Sequence, residues 1–234
     1  MTHSVTDYEA AYRELRLRLT DLLHERPDDE LEQVTPTCPE WRVRDLPAHL
    51  GGVCDDIAHG NMDGVATDAW TRAQVDKRRD WPFEQVLTDW SEHAAVVESM
   101  MNDIGQPMGQ LVFDAWTHEQ DARTALGVPC DRESAAVDVA FGWWVATAQQ
   151  FVGAGPDAGP TEAFRLVCET GEFDFGPGTP TQTLRASRFE FLRAITGRRS
   201  SAQVLAFAWD GDTPLDELVF TNELFSPATR DIVE

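Results

Sequence analysis

Basic charge is scarce in this 234-residue sequence: nineteen Lys and Arg stand against forty-one Asp and Glu, a formal net charge of −22 at pH 7. Lys77 is the only lysine. A surface this acidic repels phosphate backbones and anionic lipid, so neither nucleic acid nor a membrane surface is an expected partner. Long apolar runs are missing too, and no stretch of about 18 residues is fit to span a bilayer. The opening residues, Met1 to Asp7, carry no signal-peptide pattern, so the expected location is cytoplasmic.

Cysteine is sparse, and its spacing is uninformative. Cys38, Cys54, Cys130 and Cys168 form no Cys-x-x-Cys pair. That argues against a zinc ribbon and a disulfide framework, and the expectation is four free, mostly buried thiols. Gly-x-Ser-x-Gly and glycine-rich phosphate loops are absent, so a nucleophile elbow and a nucleotide cradle are both unsupported. Cys38 has no obvious base nearby in sequence, and packing under Trp41 is its expected role. There are no internal repeats and no low-complexity tracts.

What is present is helical periodicity. Hydrophobic residues make up 42% of the chain, enough for a real core. Tyr8, Ala11, Tyr12, Leu15, Leu19, Leu22 and Leu23 recur at helical spacing, with Thr6 and Glu9 placed as a capping box. A second helix is expected from Arg42 or Val43 to Gly60, with Leu46, Leu50, Val53 and Ile57 as its apolar stripe. Residues 60–80 read as a polar surface loop. Pro82 opens a third helix carrying Phe83, Val86, Leu87, Trp90, Ala94, Val97 and Met101. Pro107 opens a fourth, which stops before Gly127, and a fifth spans Ser134 to Phe151.

The Gly- and Pro-rich tract 153–160 is incompatible with a helix and marks a domain boundary. Beyond it, 164–170 and 183–186 read as strands, Arg188 to Ile195 as a short helix, and 201–207 as another. The expected fold class is α+β, mainly α. A four-helix bundle occupies 1–152, and a smaller α+β domain occupies 161–234.

One stretch carries candidate chemistry. Asp114 and His118 are four residues apart, so a helix puts them on one face about 6 Å apart along its axis. His49 lies on the apolar stripe of another helix and should point inward. Facing helices of a bundle build metal sites in this way. Two imidazoles and one carboxylate suit zinc, with a fourth position open to water or substrate. The plainer reading is a core histidine and a local Asp–His contact, which the same spacing allows. Asp121 is one turn past His118 and is placed to orient it, or to pair with Arg123. His59, near a helix end, and His93, read as solvated, are weaker candidates. His3 and His24 are terminal or on the surface, and Glu119 and Gln120 point elsewhere on the helix.

The block from Thr35 through Cys38-Pro39-Glu40-Trp41 to His49-Leu50 resembles the signature of the mycothiol-dependent maleylpyruvate isomerase family, within the DinB-like metal-binding four-helix proteins. Asp114 to Arg123 resembles that family's metal helix. Arg188 to Ser200 resembles part of its smaller C-terminal domain. The resemblance implies Zn²⁺ or another divalent metal on His49, Asp114 and His118, with mycothiol as thiol cosubstrate. It implies a metal-held thiolate that adds to a small-molecule electrophile, as isomerase or S-transferase. It also implies a catalytic arginine, one of Arg188, Arg193 and Arg198. Two departures stand out. The isomerase has Glu where this chain has Asp114, so the helix must sit closer or water must intervene. Arg42 replaces a capping Thr, which weakens the helix start by about 1 kcal/mol.

A non-catalytic metal- or small-molecule-binding protein on the same scaffold is the alternative, and a metal-free interaction protein is a third reading. Monomer and homodimer fit the sequence equally.

Overall fold

The computed structural model describes residues 6–151, 163–176, 178–211 and 225–234, and the side chains of 148–151 fall outside that description. The chain forms two compact units, Met1–Asp131 and Arg132–Glu234. The fold is mainly α, of the α+β class. No helix among the described residues is long and apolar enough to cross a membrane.

The first unit holds α1 (Tyr8–His24), α2 (Asp28–Leu31), α3 (Asp45–His59), α4 (Asp68–Arg78), α5 (Phe83–Ile104) and α6 (Gly109–Ala125). Helices α1, α3, α5 and α6 make the bundle: α3 packs along α5, α1 packs on both α5 and α6, and α4 packs on α3. Leu15, Leu19, Leu46, Trp90, Val97, Val112 and Trp116 are fully buried between them. Each such side chain stabilises the fold by about 1.5–3 kcal/mol through water exclusion.

Local details differ from the sequence reading where short polar contacts decide. Asp7, not Thr6, caps α1, and its carboxylate accepts from the Ala10 amide at 3.0 Å. That bond holds the Asp7 carboxyl below its usual range. The region expected to loop, 60–80, contains α4, whose Thr67 cap accepts from the Trp70 amide. Helix α4 buries only Gln74, Val75 and Arg78, so it has almost no apolar stripe to read. Pro107 lies in a 3₁₀ turn, Gln106–Met108, that leads into α6. The start of α3 lacks its capping Thr, but Asp45 reaches back instead. Its Oδ2 accepts from the Arg42 amide at 2.8 Å.

The second unit holds α7 (Ala135–Phe151), β1 (Phe164–Cys168), β2 (Gly171–Phe175), β3 (Gln182–Arg185), α8 (Arg188–Ile195), α9 (Ser201–Leu205) and β4 (Ala208–Asp210). The sheet order is β2-β1-β3-β4: β1 and β2 form an antiparallel hairpin, β1 runs parallel to β3, and β4 is antiparallel to β3. On α7, Phe141 packs against Phe173 and Phe191, and Trp144 against Phe175 and Phe191. These rings tie α7 to the sheet and α8, although the sequence reading grouped this helix with the bundle. The expected break near residue 152, the tract 153–160 and the inward side chains of Ala148 and Phe151 lie outside the described residues.

Candidate metal centre

The segment before α3 folds back on itself. Thr35 and Trp41 are joined by the Thr35 amide on the Trp41 carbonyl at 2.9 Å, and the Thr35 hydroxyl donates to the Cys38 carbonyl at 2.7 Å. This turn sets the Trp41 ring 5.0 Å from the His49 ring and 5.2 Å from the His118 ring. His49 lies one turn into α3. Three residues on, Gly52 has no side chain, and a Cβ there would lie 2.4 Å from the Gln74 Cβ. The bare backbone lets α4 approach α3 closely enough for Gln74 to reach His49.

His49, Asp114 and His118 are brought together, with their ligand atoms all within 4.8 Å of one another. His49 Nε2 lies 3.3 Å from Asp114 Oδ2, and His118 Nε2 lies 3.5 Å from Asp114 Oδ1. Asp114 therefore reaches both rings directly, despite being one methylene shorter than Glu. Both imidazole side chains are under a tenth exposed, while the Asp114 side chain is 34% exposed. One side of the cluster is thus open to a ligand.

The outer nitrogens fix the tautomers. His49 Nδ1 lies 2.8 Å from Gln74 Oε1, and Gln74 donates its amide hydrogen to Asp56 Oδ2 at 2.7 Å. That second bond orients Gln74 with its oxygen toward the ring, so His49 carries its proton on Nδ1. His118 Nδ1 lies 3.0 Å from Asp121 Oδ2, a carboxylate with no exposed side-chain surface, and again the proton belongs on Nδ1. Both Nε2 lone pairs then face Asp114, so three electron-pair donors converge on one point. For bonds of about 2.1 Å, tetrahedral ligands stand about 3.4 Å apart, which matches the two separations. Burial pushes the His118 imidazole below its ordinary value, with Asp121 and Asp114 opposing the shift. A neutral ring is the form that can ligate.

Other residues singled out in the sequence lie as follows. Asp121 bonds His118, and Cys38 Sγ donates to the same Asp121 oxygen at 3.5 Å. None of the four cysteines is in a disulfide; only Cys54 is buried, and the other three are half-buried. Burial pushes the Cys54 thiol up to about 12, which removes it as a nucleophile. Glu119, expected to point away, is fully buried and accepts from Arg18 at 2.8 Å. In the second unit, Arg193 is buried against Glu234, and Arg198 donates to the Thr196 carbonyl at 2.6 Å. Arg188 pairs with Asp138 and Glu169. It lines an open cavity of about 410 Å³ with Phe141, Val145 and Phe173. Sequence reasoning missed Gln74, Asp56 and the position of Trp41; the small pair Gly51-Gly52 beside His49 was the available signal.

A four-helix bundle in which two helices, α3 and α6, direct two imidazoles and a carboxylate to one point defines a helical-bundle protein with a candidate metal centre. Residues 12–126 match the mycothiol maleylpyruvate isomerase N-terminal domain, and this stretch is a member of that domain family. Its structure is similar to a crystal structure of the mycothiol-dependent maleylpyruvate isomerase, with TM-score 0.58 at 14% identity over 82% of this chain and 88% of that one. A histidine-to-alanine mutant of the mycothiol-dependent maleylpyruvate isomerase is similar at TM-score 0.58 and 12% identity, over 88% of this chain and 94% of that one. At such identities the likeness is one of fold. No curated protein matches the sequence.

Proposed function

We propose that this protein is a metal-dependent enzyme that uses a low-molecular-weight thiol, with mycothiol as the cosubstrate the family suggests. The observation that carries the reading is the convergence of His49 Nε2, His118 Nε2 and Asp114, with both rings held in the ligating tautomer. His49, Asp114 and His118 would hold the ion, and zinc suits this donor set. A bound divalent ion supplies Lewis acidity that lowers the pKa of a coordinated thiol or water.

The chain's own residues do the rest. Gln74 and Asp121 keep the proton on each outer nitrogen, so neither ring turns away from the centre. Trp41 walls one side and limits water. The ligand set carries one negative charge, so a divalent ion leaves one positive charge, which favours an anionic sulfur ligand over a neutral one. The exposed edge of Asp114 is the side from which a thiol enters. The chain then needs no nucleophile of its own, in keeping with an inert Cys54.

Elemental analysis of protein purified without a metal-affinity tag, combined with a mycothiol titration, tests the reading. One ion per chain, and thiol-dependent turnover of a cis-unsaturated keto acid, are expected. An isomerase works with catalytic thiol, because the sulfur adds and leaves; an S-transferase consumes thiol in step with product. Metal and thiol binding without turnover on any such electrophile would point instead to the binding protein.

A further inference from the structure

His59 and His93 meet at the far end of α3. His59 Nδ1 lies 3.0 Å from Asp55 Oδ1, and His93 Nε2 lies 3.4 Å from the same oxygen. The two rings are 5.7 Å apart, and the three ligand atoms lie within 4.8 Å of one another. This is the inner cluster's composition again, on residues that it does not use. We propose that Asp55, His59 and His93 form a second site, for a borderline divalent transition ion such as Zn²⁺, Ni²⁺ or Cu²⁺.

The surroundings orient each ligand. His93 Nδ1 lies 2.9 Å from the Asp89 carbonyl, which places its proton there and leaves the Nε2 lone pair facing Asp55. The Asp55 carboxylate is held from behind. Its Oδ2 accepts from Lys77 at 2.6 Å and from Arg78 at 3.0 Å, so Oδ1 turns toward the rings. Arg78, 1% exposed, also bonds Asp89 Oδ2 at 2.7 Å and fixes the second carboxylate beside His93. Partial burial raises the Asp55 carboxyl, but the bonds from Lys77 and Arg78 outweigh it and bring it down to about 2.

Distances of 3.0 and 3.4 Å match ligand pairs at octahedral and tetrahedral angles for bonds of about 2.1 Å. Two imidazoles and a carboxylate select borderline ions over Mg²⁺ or Ca²⁺. The Asp55 backbone carbonyl lies 2.9 Å from His59 Nδ1, so the ion must displace that proton. The His59 side chain is 67% exposed and free to adjust, and water completes the coordination. Ten residues of α3 separate His59 from His49, about 15 Å along the axis, so the two sites titrate as distinct ions.

The test is equilibrium dialysis of the full chain with Zn²⁺ alone, and Cu²⁺ with electron paramagnetic resonance. Wild type, His49→Ala/His118→Ala, His59→Gln and His93→Gln are compared, with circular dichroism to check folding. One ion should persist in the inner double variant, with hyperfine coupling from two nitrogens. His59→Gln and His93→Gln should each weaken that ion at least about tenfold, since even an outer partner of a ligand is worth this much. If the double variant fails to fold, loss of one ion on going from wild type to the exposed-site variant His59→Gln supports the proposal. An ion count that vanishes with His49 and His118, or that neither glutamine variant changes, overturns it.

Discussion

Two clusters on α3 share the same three side-chain types and differ in what surrounds them. At the start of the helix, His49 meets Asp114 and His118 in a cage where the outer ring nitrogens face Gln74 and Asp121. At its end, Asp55 meets His59 and His93, with Lys77 and Arg78 on the back of the carboxylate. The inner rings are buried, with Asp114 partly open; the outer His59 is mostly exposed. Composition alone therefore does not rank a metal site. The rank comes from desolvation, from acceptors behind the rings, and from how much positive charge already neutralises the carboxylate.

The largest effect should come from His118→Ala, which removes a proposed inner ligand and one partner of the buried Asp121. Inner metal affinity should fall by more than about a hundredfold, and thiol-dependent turnover with it, because a lost ligand outweighs a lost outer partner. Metal content unchanged after dialysis would place the ion elsewhere. Asp121→Asn keeps the shape and removes the charge behind His118. A loss of about 10–100-fold in affinity is expected, against none at the outer cluster. Equal losses at both would break the distinction.

Gly52→Ala probes how α4 brings Gln74 to His49. A Cβ at 2.4 Å from Gln74 must push α4 away. Denaturant unfolding should show a cost of about 1–3 kcal/mol, typical of overpacking. Inner affinity should drop as His49 loses its partner; an unchanged value would remove Gln74 from the account.

Acid should act on the clusters in different windows. Burial lowers the His118 imidazole in the metal-free fold, so the unfolded chain takes up that proton first. Its contribution is full above about 6.5 and is lost as the pH falls below it toward the folded value. The Asp55 carboxyl, ordinarily 3.8 and held at about 2, keeps its contribution until the pH falls through that lower range. Unfolding curves against pH for wild type and His118→Gln check this, since the substitution should flatten the upper step alone. The smallest effect belongs to Lys77→Gln. With Lys77 itself exposed, the pair is worth under about 1 kcal/mol in stability. Outer-site affinity should rise a few-fold, on the scale of one charge about 5 Å away in water. A fall would mean that Lys77 orients Asp55 more than it competes with the ion.

Much of the inner cluster was legible in the sequence because its spacing is local. Asp114 and His118 follow from one helical turn, and His49 from an apolar stripe that the structure shows buried at Leu46 and Leu50. Gln74 was hidden because α4 has Val75 as its one buried apolar residue. Trp41 depends on a turn closed by Thr35, a contact that periodicity does not encode. His93 reads as solvated beside Glu92, yet Ala94 is fully buried and His93 is drawn to Asp55 from another helix. In the second unit, β2 went unread because only Phe175 of its five residues is buried. The short helix at Arg188–Ile195 was legible because Ser187 caps it and Gly197 follows it.

The single lysine has a further consequence. An acylating reagent aimed at amines finds one side-chain target in the entire sequence, and that nitrogen rests 2.6 Å from Asp55 Oδ2. Held against the carboxylate, the amine is engaged; as its partner is drawn off, it is released to the reagent. Lys77 is thus a built-in chemical probe, whose labelling rate reports the state of the outer cluster with no engineered tag.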